Sequence, residues 1–471
     1  MSKVVSLAEN TRGEFGIAHR SSAIFWFKNN DTFKTTISFI NYWKLKNNVD
    51  VMIVASIRKM TGDLVTRSVL EFDDSNLINL VPSEIEEGSI EIEAFGNTNL
   101  RIPYAAIMAV YEASSSINMV HSYSRTYSSF EVEEGRAFSD GDEGCWSIFC
   151  DSHIKPFAVL HNGDQHCSNQ VLTATITNSK NQRLLVKSEE FSLRPFESFI
   201  VDIEKMLPSL EEFLGGAYGN CGVQAKTQRS FTRMLCGNIK RDWSEFQCSH
   251  SNFNYESYAT DMVSGEAIAS MVVPKIDDLG IEPEVVVYPE STPGHYQLTT
   301  DSEILDFKNR ELVGCKIGRS TSHNVSFRRL DGLMPTRLVT GIRLSNEKRL
   351  ASECSLGTTH ADVYGKSSHW LLLSNEFSSK IYLTAFPSIY GSPATEDFFE
   401  LTIYAAGKSG GKSKRLFYRN LEWRNCSLNV VDLFGINEND FFYVFVKSSY
   451  RGAVFYSSLA KAGSMCIEHS F

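Results

Sequence analysis

Arg451-Gly-Ala-Val-Phe-Tyr-Ser457, running on to Cys466-Ile-Glu-His469-Ser470, reads as a strand pair that ends in a histidine. Three earlier stretches have the same form. They are Ile102-Pro-Tyr-Ala-Ala-Ile-Met-Ala-Val-Tyr111 running to His121, Phe231-Thr-Arg-Met-Leu-Cys-Gly-Asn238 running to His250, and Pro335-Thr-Arg-Leu-Val-Thr-Gly341 running through Cys354 to His360. The last two intervals between these histidines, 110 and 109 residues, are nearly equal. Self-similarity at a fixed period decides architecture before any short motif does, because each copy must form the same kind of unit.

Working back from each histidine recovers the rest of the unit. The first copy has apolar runs at Ser22 to Phe27, Thr35 to Ile40 and Val51 to Ile57, a turn at Thr61-Gly-Asp63, and Leu64 to Phe72 beyond it. Apolar segments flanking a short polar turn signal a hairpin. Gly88 to Phe95 then alternates with period two, the pattern of a strand with one face buried. The second copy keeps this order through Pro156 to Leu160, Val171 to Thr177 and Arg183 to Val186, and adds a helical stretch around Met206 to Phe213, stopped by Gly215-Gly216. The fourth repeats it through Trp370 to Leu373, Ile381 to Phe386 and Phe398 to Tyr404. The third reads as shorter, lacking the long hairpin.

The expected fold class is all-β: four tandem antiparallel β-sandwich-like units from an internal repeat, with minor helix, over residues 1–130, 145–256, 263–362 and 367–471. Strands at short spacing joined by polar turns favour sandwiches. Propeller blades take about 40 to 50 residues, too few for units of this length.

Composition bounds the function. Of 471 residues, 42% are hydrophobic and 22% charged, ordinary for packed domains. The net charge of −10 repels phosphate backbones, so no nucleic-acid partner is expected. No apolar run is long enough to predict a membrane span, and the N-terminus has no secretory apolar core. Ten cysteines without a CxxC pair fit reduced thiols, and a cytoplasmic location is the expectation.

Catalytic motifs are sparse. There is no GxSxG elbow, and Ser122, Ser251 and Ser470 directly follow their histidines, which on a strand sets serine and imidazole on opposite faces. Gly407-Lys-Ser-Gly-Gly-Lys-Ser413 contains Gly-Lys-Ser twice, but Ala406 stands where a phosphate loop needs its leading glycine. It reads as a hairpin turn.

Two functional expectations remain. The leading one is a non-enzymatic protein that binds a carbohydrate or protein partner through loops at the repeat ends, using Tyr123, Tyr127, Phe253, Tyr255, Tyr364 and Trp370, although such rings also pack between domains. The alternative is a metal-dependent enzyme holding zinc or iron with His121, His250, His360 and His469, since neutral imidazole ligates both metals. The plain structural role for each histidine is to cap a strand end by donating one ring N–H to a carbonyl. Geometry separates these readings: in a string of sandwiches the four histidines lie far apart, and only a closed arrangement brings them together. The cluster of Asp151, His153, His161, Asp164 and His166 is expected in solvated loops.

Overall fold

In the computed structural model the described residues are 19–98, 100, 107–133, 138–139, 144–231, 233–252, 268–274, 276, 280–300, 303–308, 310–317, 323–335, 338–346, 349–356, 358, 367–374, 376–384, 397–405, 412–418, 426–435, 441–448, 453–461 and 463–470. The first unit contains β1 (His19–Lys28), β2 (Phe33–Ile40), β3 (Met52–Lys59), β4 (Leu64–Leu70), β5 (Leu77–Leu80), β6 (Glu87–Gly96), β7 (Ile107–Ala113) and β8 (Ser116–His121). They form two antiparallel four-stranded sheets in the orders β1-β6-β3-β4 and β5-β2-β7-β8.

The local reasons are visible in the residues. In β6, Ile90, Ile92 and Ala94 enter the core between the sheets. The β3–β4 hairpin turns at Gly62, whose φ of +85° favours glycine, and a Cβ there would meet the Pro195 carbonyl oxygen at 2.2 Å. Glu91 and Glu93 alternate to the other face of β6, yet they too are buried, because residues 125–126 cover them. Arg20 bonds Glu91 at 2.6 Å and Glu93 at 2.7 Å, and Thr126 Oγ1 donates to Glu91 at 2.6 Å.

The other three units repeat this plan strand for strand, each with two four-stranded sheets of the same internal order. The third unit is not short of a hairpin, contrary to the sequence expectation: His295–Thr299 pairs with Ile304–Lys308. Its turn residues lack the glycine that marked Gly62, so the pattern was not legible. The expected helix of the second unit is present as two short ones, Ile203–Met206 and Leu210–Leu214, the latter ended by left-handed Gly215. No helix among the described residues is long and apolar enough to cross a membrane. The nine cysteines with described side chains are buried, and none of the nine forms a disulfide.

The units are not strung out. Phe157 and Phe246 of the second unit pack on Trp26 and Phe33 of the first, with ring centroids 5.1 and 5.4 Å apart for Trp26–Phe157 and Phe33–Phe246. Tyr443 of the fourth donates to the Ser38 carbonyl of the first at 2.7 Å. Tyr382, Phe455, Met465 and Ile467 of the fourth share a core with Val285 and Ile342 of the third. Val286, Tyr288 and Val339 of the third enclose Cys145 of the second. Each unit thus meets two neighbours through different surfaces, the heterologous pattern that closes into a ring when the rotation permits. The eighth strands, Ser116–His121, Phe246–His250, Arg349–Leu356 and Met465–His469, line its centre, each packed on the next and the fourth on the first.

Candidate metal centre

Register locates the ring's axial ends. Met108 pairs with His121, Leu235 with His250, and Phe455 with His469, the last strand residue in each case. In the third unit the equivalent pair is Thr340 with Leu356. The repeat therefore carries a leucine at its third axial position. His360, assigned there from sequence spacing, lies outside the described residues.

His121, His250 and His469 converge. Their ring centroids lie 4.5 Å apart for His121–His250, 4.9 Å for His121–His469 and 6.1 Å for His250–His469. Glu468, the residue before His469, turns into the same space, with Oε1 3.8 Å from His121 Nδ1 and 3.6 Å from His469 Nε2. One donor atom from each of the four residues falls within a group spanning at most 4.8 Å.

Backbone bonds orient two of the imidazoles. His250 Nδ1 stands 2.9 Å from the Ser251 carbonyl oxygen, and His469 Nδ1 2.9 Å from that of Ser470. An oxygen that can only accept requires Nδ1–H, which leaves the Nε2 lone pair of each ring to face the cluster. His250 is 4% exposed, and its Nε2 is buried without a hydrogen-bond partner. The expected strand-end cap is therefore present through Nδ1, and it is the arrangement that fixes a metal-ligating tautomer.

Burial sets the protonation states. Desolvation, reinforced for His121 by His250, His469 and Arg233, holds that imidazole well below its usual range. His250 is pushed well down by desolvation and then by Arg233 and His469, and His469 is lowered chiefly by desolvation. Burial raises Glu468 to about 8, opposed by its bonds to the His469 N–H and the Cys354 thiol and by the charge of Arg233. Three neutral imidazoles and one ionisable carboxyl make a donor set suited to a borderline divalent ion. Zinc bonds to imidazole at about 2.0 to 2.1 Å, so donors across one ion stand no more than about 4 Å apart. The 4.8 Å group fits after a contraction of less than about 1 Å.

Glu468 was missed in the sequence because a strand carboxylate beside a histidine is expected to face the other way. Its proximity to His469 comes from the carboxyl folding back, with Oε1 accepting from the His469 backbone N–H at 2.9 Å.

The aromatic candidates are dispersed. Tyr123 is fully buried, and its hydroxyl accepts from the Trp26 N–H at 2.8 Å. Trp370 is buried and stacked on Phe445 at 4.3 Å. Both are core residues and not the ligand-facing rings expected: Tyr123 lies where the first unit meets His161 of the second, and Trp370 packs within the fourth unit on Tyr404 and Phe445. Tyr127 is half-buried beneath the Arg125 guanidinium. Phe253, Tyr255 and Tyr364 lie outside the described residues. His161, expected in a solvated loop, is buried at a strand end, with Nδ1 2.8 Å from Ser198 Oγ, and desolvation lowers it to about 3. His153 and His166 are exposed.

Comparison with models of known protein families and with curated proteins gives no match.

Proposed function

We propose that this chain is a metal-binding ring whose axial centre takes one divalent transition-metal ion, zinc or ferrous iron in class, through His121, His250, His469 and Glu468. The observation that carries the reading is the convergence of four donors from three units within 4.8 Å, with His250 Nε2 buried and unpartnered. The two oriented imidazoles and the neutral state of all three support it. The ion adds a tie between the first, second and fourth units at the point where the ring closes. The side chain of His469 is 29% exposed and that of His121 13%, so the centre opens to solvent on their side. That opening makes room for a small molecule at the ion, the route by which such a centre would act as an enzyme.

A carbohydrate- or protein-binding surface at the repeat ends has less support, since Tyr123 and Trp370 are buried and Tyr127 is partly covered.

The test is metal content of purified protein by elemental analysis, after growth in zinc- and iron-supplemented media and after reconstitution with each ion. One ion per chain is expected in the wild type, falling below a tenth of that in a His250→Ala, His469→Ala double variant. Wild-type protein that folds but takes up no stoichiometric zinc or iron overturns the reading.

A further inference from the structure

Behind His250, on the side of the second and third units, lies a narrow chamber of about 20 Å³, walled by Trp146, Tyr218, Gln247, Ser249, His250 and Glu353 among others. Three of these residues contribute buried polar atoms without a protein hydrogen-bond partner: Trp146 Nε1, Gln247 Oε1 and Ser249 Oγ. Buried donors and acceptors are rarely left unmet, so three around one small space call for a common partner. The orientation of Gln247 is fixed from outside the chamber, since its Nε2 donates to Ser464 Oγ and to the Met465 carbonyl of the fourth unit. Its Oε1 therefore has to find a donor elsewhere.

We propose that this chamber is a water-binding site between the second and third units, with Tyr218 as its gate. Roughly 10 to 15 Å³ of this kind of space holds one water, which needs two to four polar partners, and the chamber offers both. Ser249 Oγ–H and Trp146 Nε1–H are donors to the water oxygen, and Gln247 Oε1 is an acceptor of its proton. Glu353 extends the polar wall. A larger molecule does not fit.

The gate follows from Tyr218 being common to two spaces. It also lines an open cleft of about 790 Å³ with Phe149, Asp151, Glu282 and Arg349 at the surface of the same two units. Its hydroxyl accepts from the Ala351 N–H at 3.0 Å and its ring lies 4.8 Å from the Arg343 guanidinium, the two contacts that tie it to the third unit. Swinging this ring aside joins cleft to chamber, and gives the buried flank of the axial histidines a supply of water and exchangeable protons separate from the open side.

The site is tested on metal-free protein with His250 intact, so its failure leaves the metal centre untouched. A crystal structure at a resolution that shows ordered water is expected to place one within hydrogen-bond distance of Ser249 Oγ and Gln247 Oε1. Water magnetic relaxation dispersion is expected to report a long-lived water that is lost in Ser249→Val and exchanges faster in Tyr218→Ala. Ser249→Ala, which removes the hydroxyl without adding bulk, covers the case in which the valine variant does not fold. A dry chamber, or a long-lived population unchanged in both Ser249 variants, overturns the site. A residence time unchanged in Tyr218→Ala overturns the gate.

Discussion

Replacing Glu468 with glutamine probes the axial centre in two opposed ways. In metal-free protein, burial raises the Glu468 carboxyl from 4.5 to about 8. A group raised in the folded state contributes stability that is fully present below its unfolded value and is lost as pH rises through the folded one. The loss therefore runs from about pH 4.5 to about pH 8. Each pH unit in that window is about 1.4 kcal/mol, so ionisable Glu468 costs the metal-free fold about 3 kcal/mol at pH 7 and about 5 kcal/mol above pH 8. Glutamine has nearly the shape of the protonated acid and does not titrate. Chelator-treated Glu468→Gln is expected to match wild type near pH 4.5 and to exceed it by those amounts at pH 7 and pH 8.5, read from urea unfolding curves at each pH. The neighbouring histidines act in the opposite sense, since their lowered values give stability present above about 6.5 and lost as pH falls, but they are common to both proteins and cancel in the difference. With zinc added the order reverses, because the carboxylate is then a ligand and wild type gains the binding free energy. A glutamine variant no more stable than metal-free wild type at pH 8.5, or a gap that does not grow between pH 5 and pH 8, refutes the buried placement of this carboxyl.

Two further substitutions probe the ring itself. Arg20→Met leaves Glu91 and Glu93 buried without their shared cation and is expected to cost about 3 kcal/mol or more, measured by chemical denaturation, with Arg67 still holding Glu93 at 2.8 Å. A loss below about 1 kcal/mol would show those carboxyls to be solvated. Tyr443→Phe removes the hydrogen bond from the fourth unit to the Ser38 carbonyl of the first and is expected to cost about 1 to 2 kcal/mol, with full protection of the Ser38 region lost first in hydrogen exchange. Unchanged protection there would place the closure of the ring elsewhere.

What could be read from the chain followed the range of the forces involved. Alternation in Gly88 to Phe95 named the core-facing Ile90 and Ile92, and the polar turn at Gly62 named its hairpin, because both depend on residues adjacent in sequence. The histidine at the end of each last strand was equally plain in three units. In the third, spacing pointed to His360, while ladder pairing ends the equivalent strand at Leu356. A count of residues is blind to a loop that differs in length by a few positions, whereas backbone hydrogen bonds are not.

The sequence by itself determined four all-β units and a polar strand end on most of them, since strand propensity, period and turn chemistry are local. Only the tertiary structure decided that those ends meet. Convergence of His121, His250, His469 and Glu468 depends on four heterologous interfaces whose rotations sum to a closed ring, and these interfaces join residues far apart in sequence, such as Ser38 and Tyr443. Packing also placed Tyr123 and Trp370 in the core and not at the expected surfaces. Ring closure created the buried space that lowers the three imidazoles and raises Glu468.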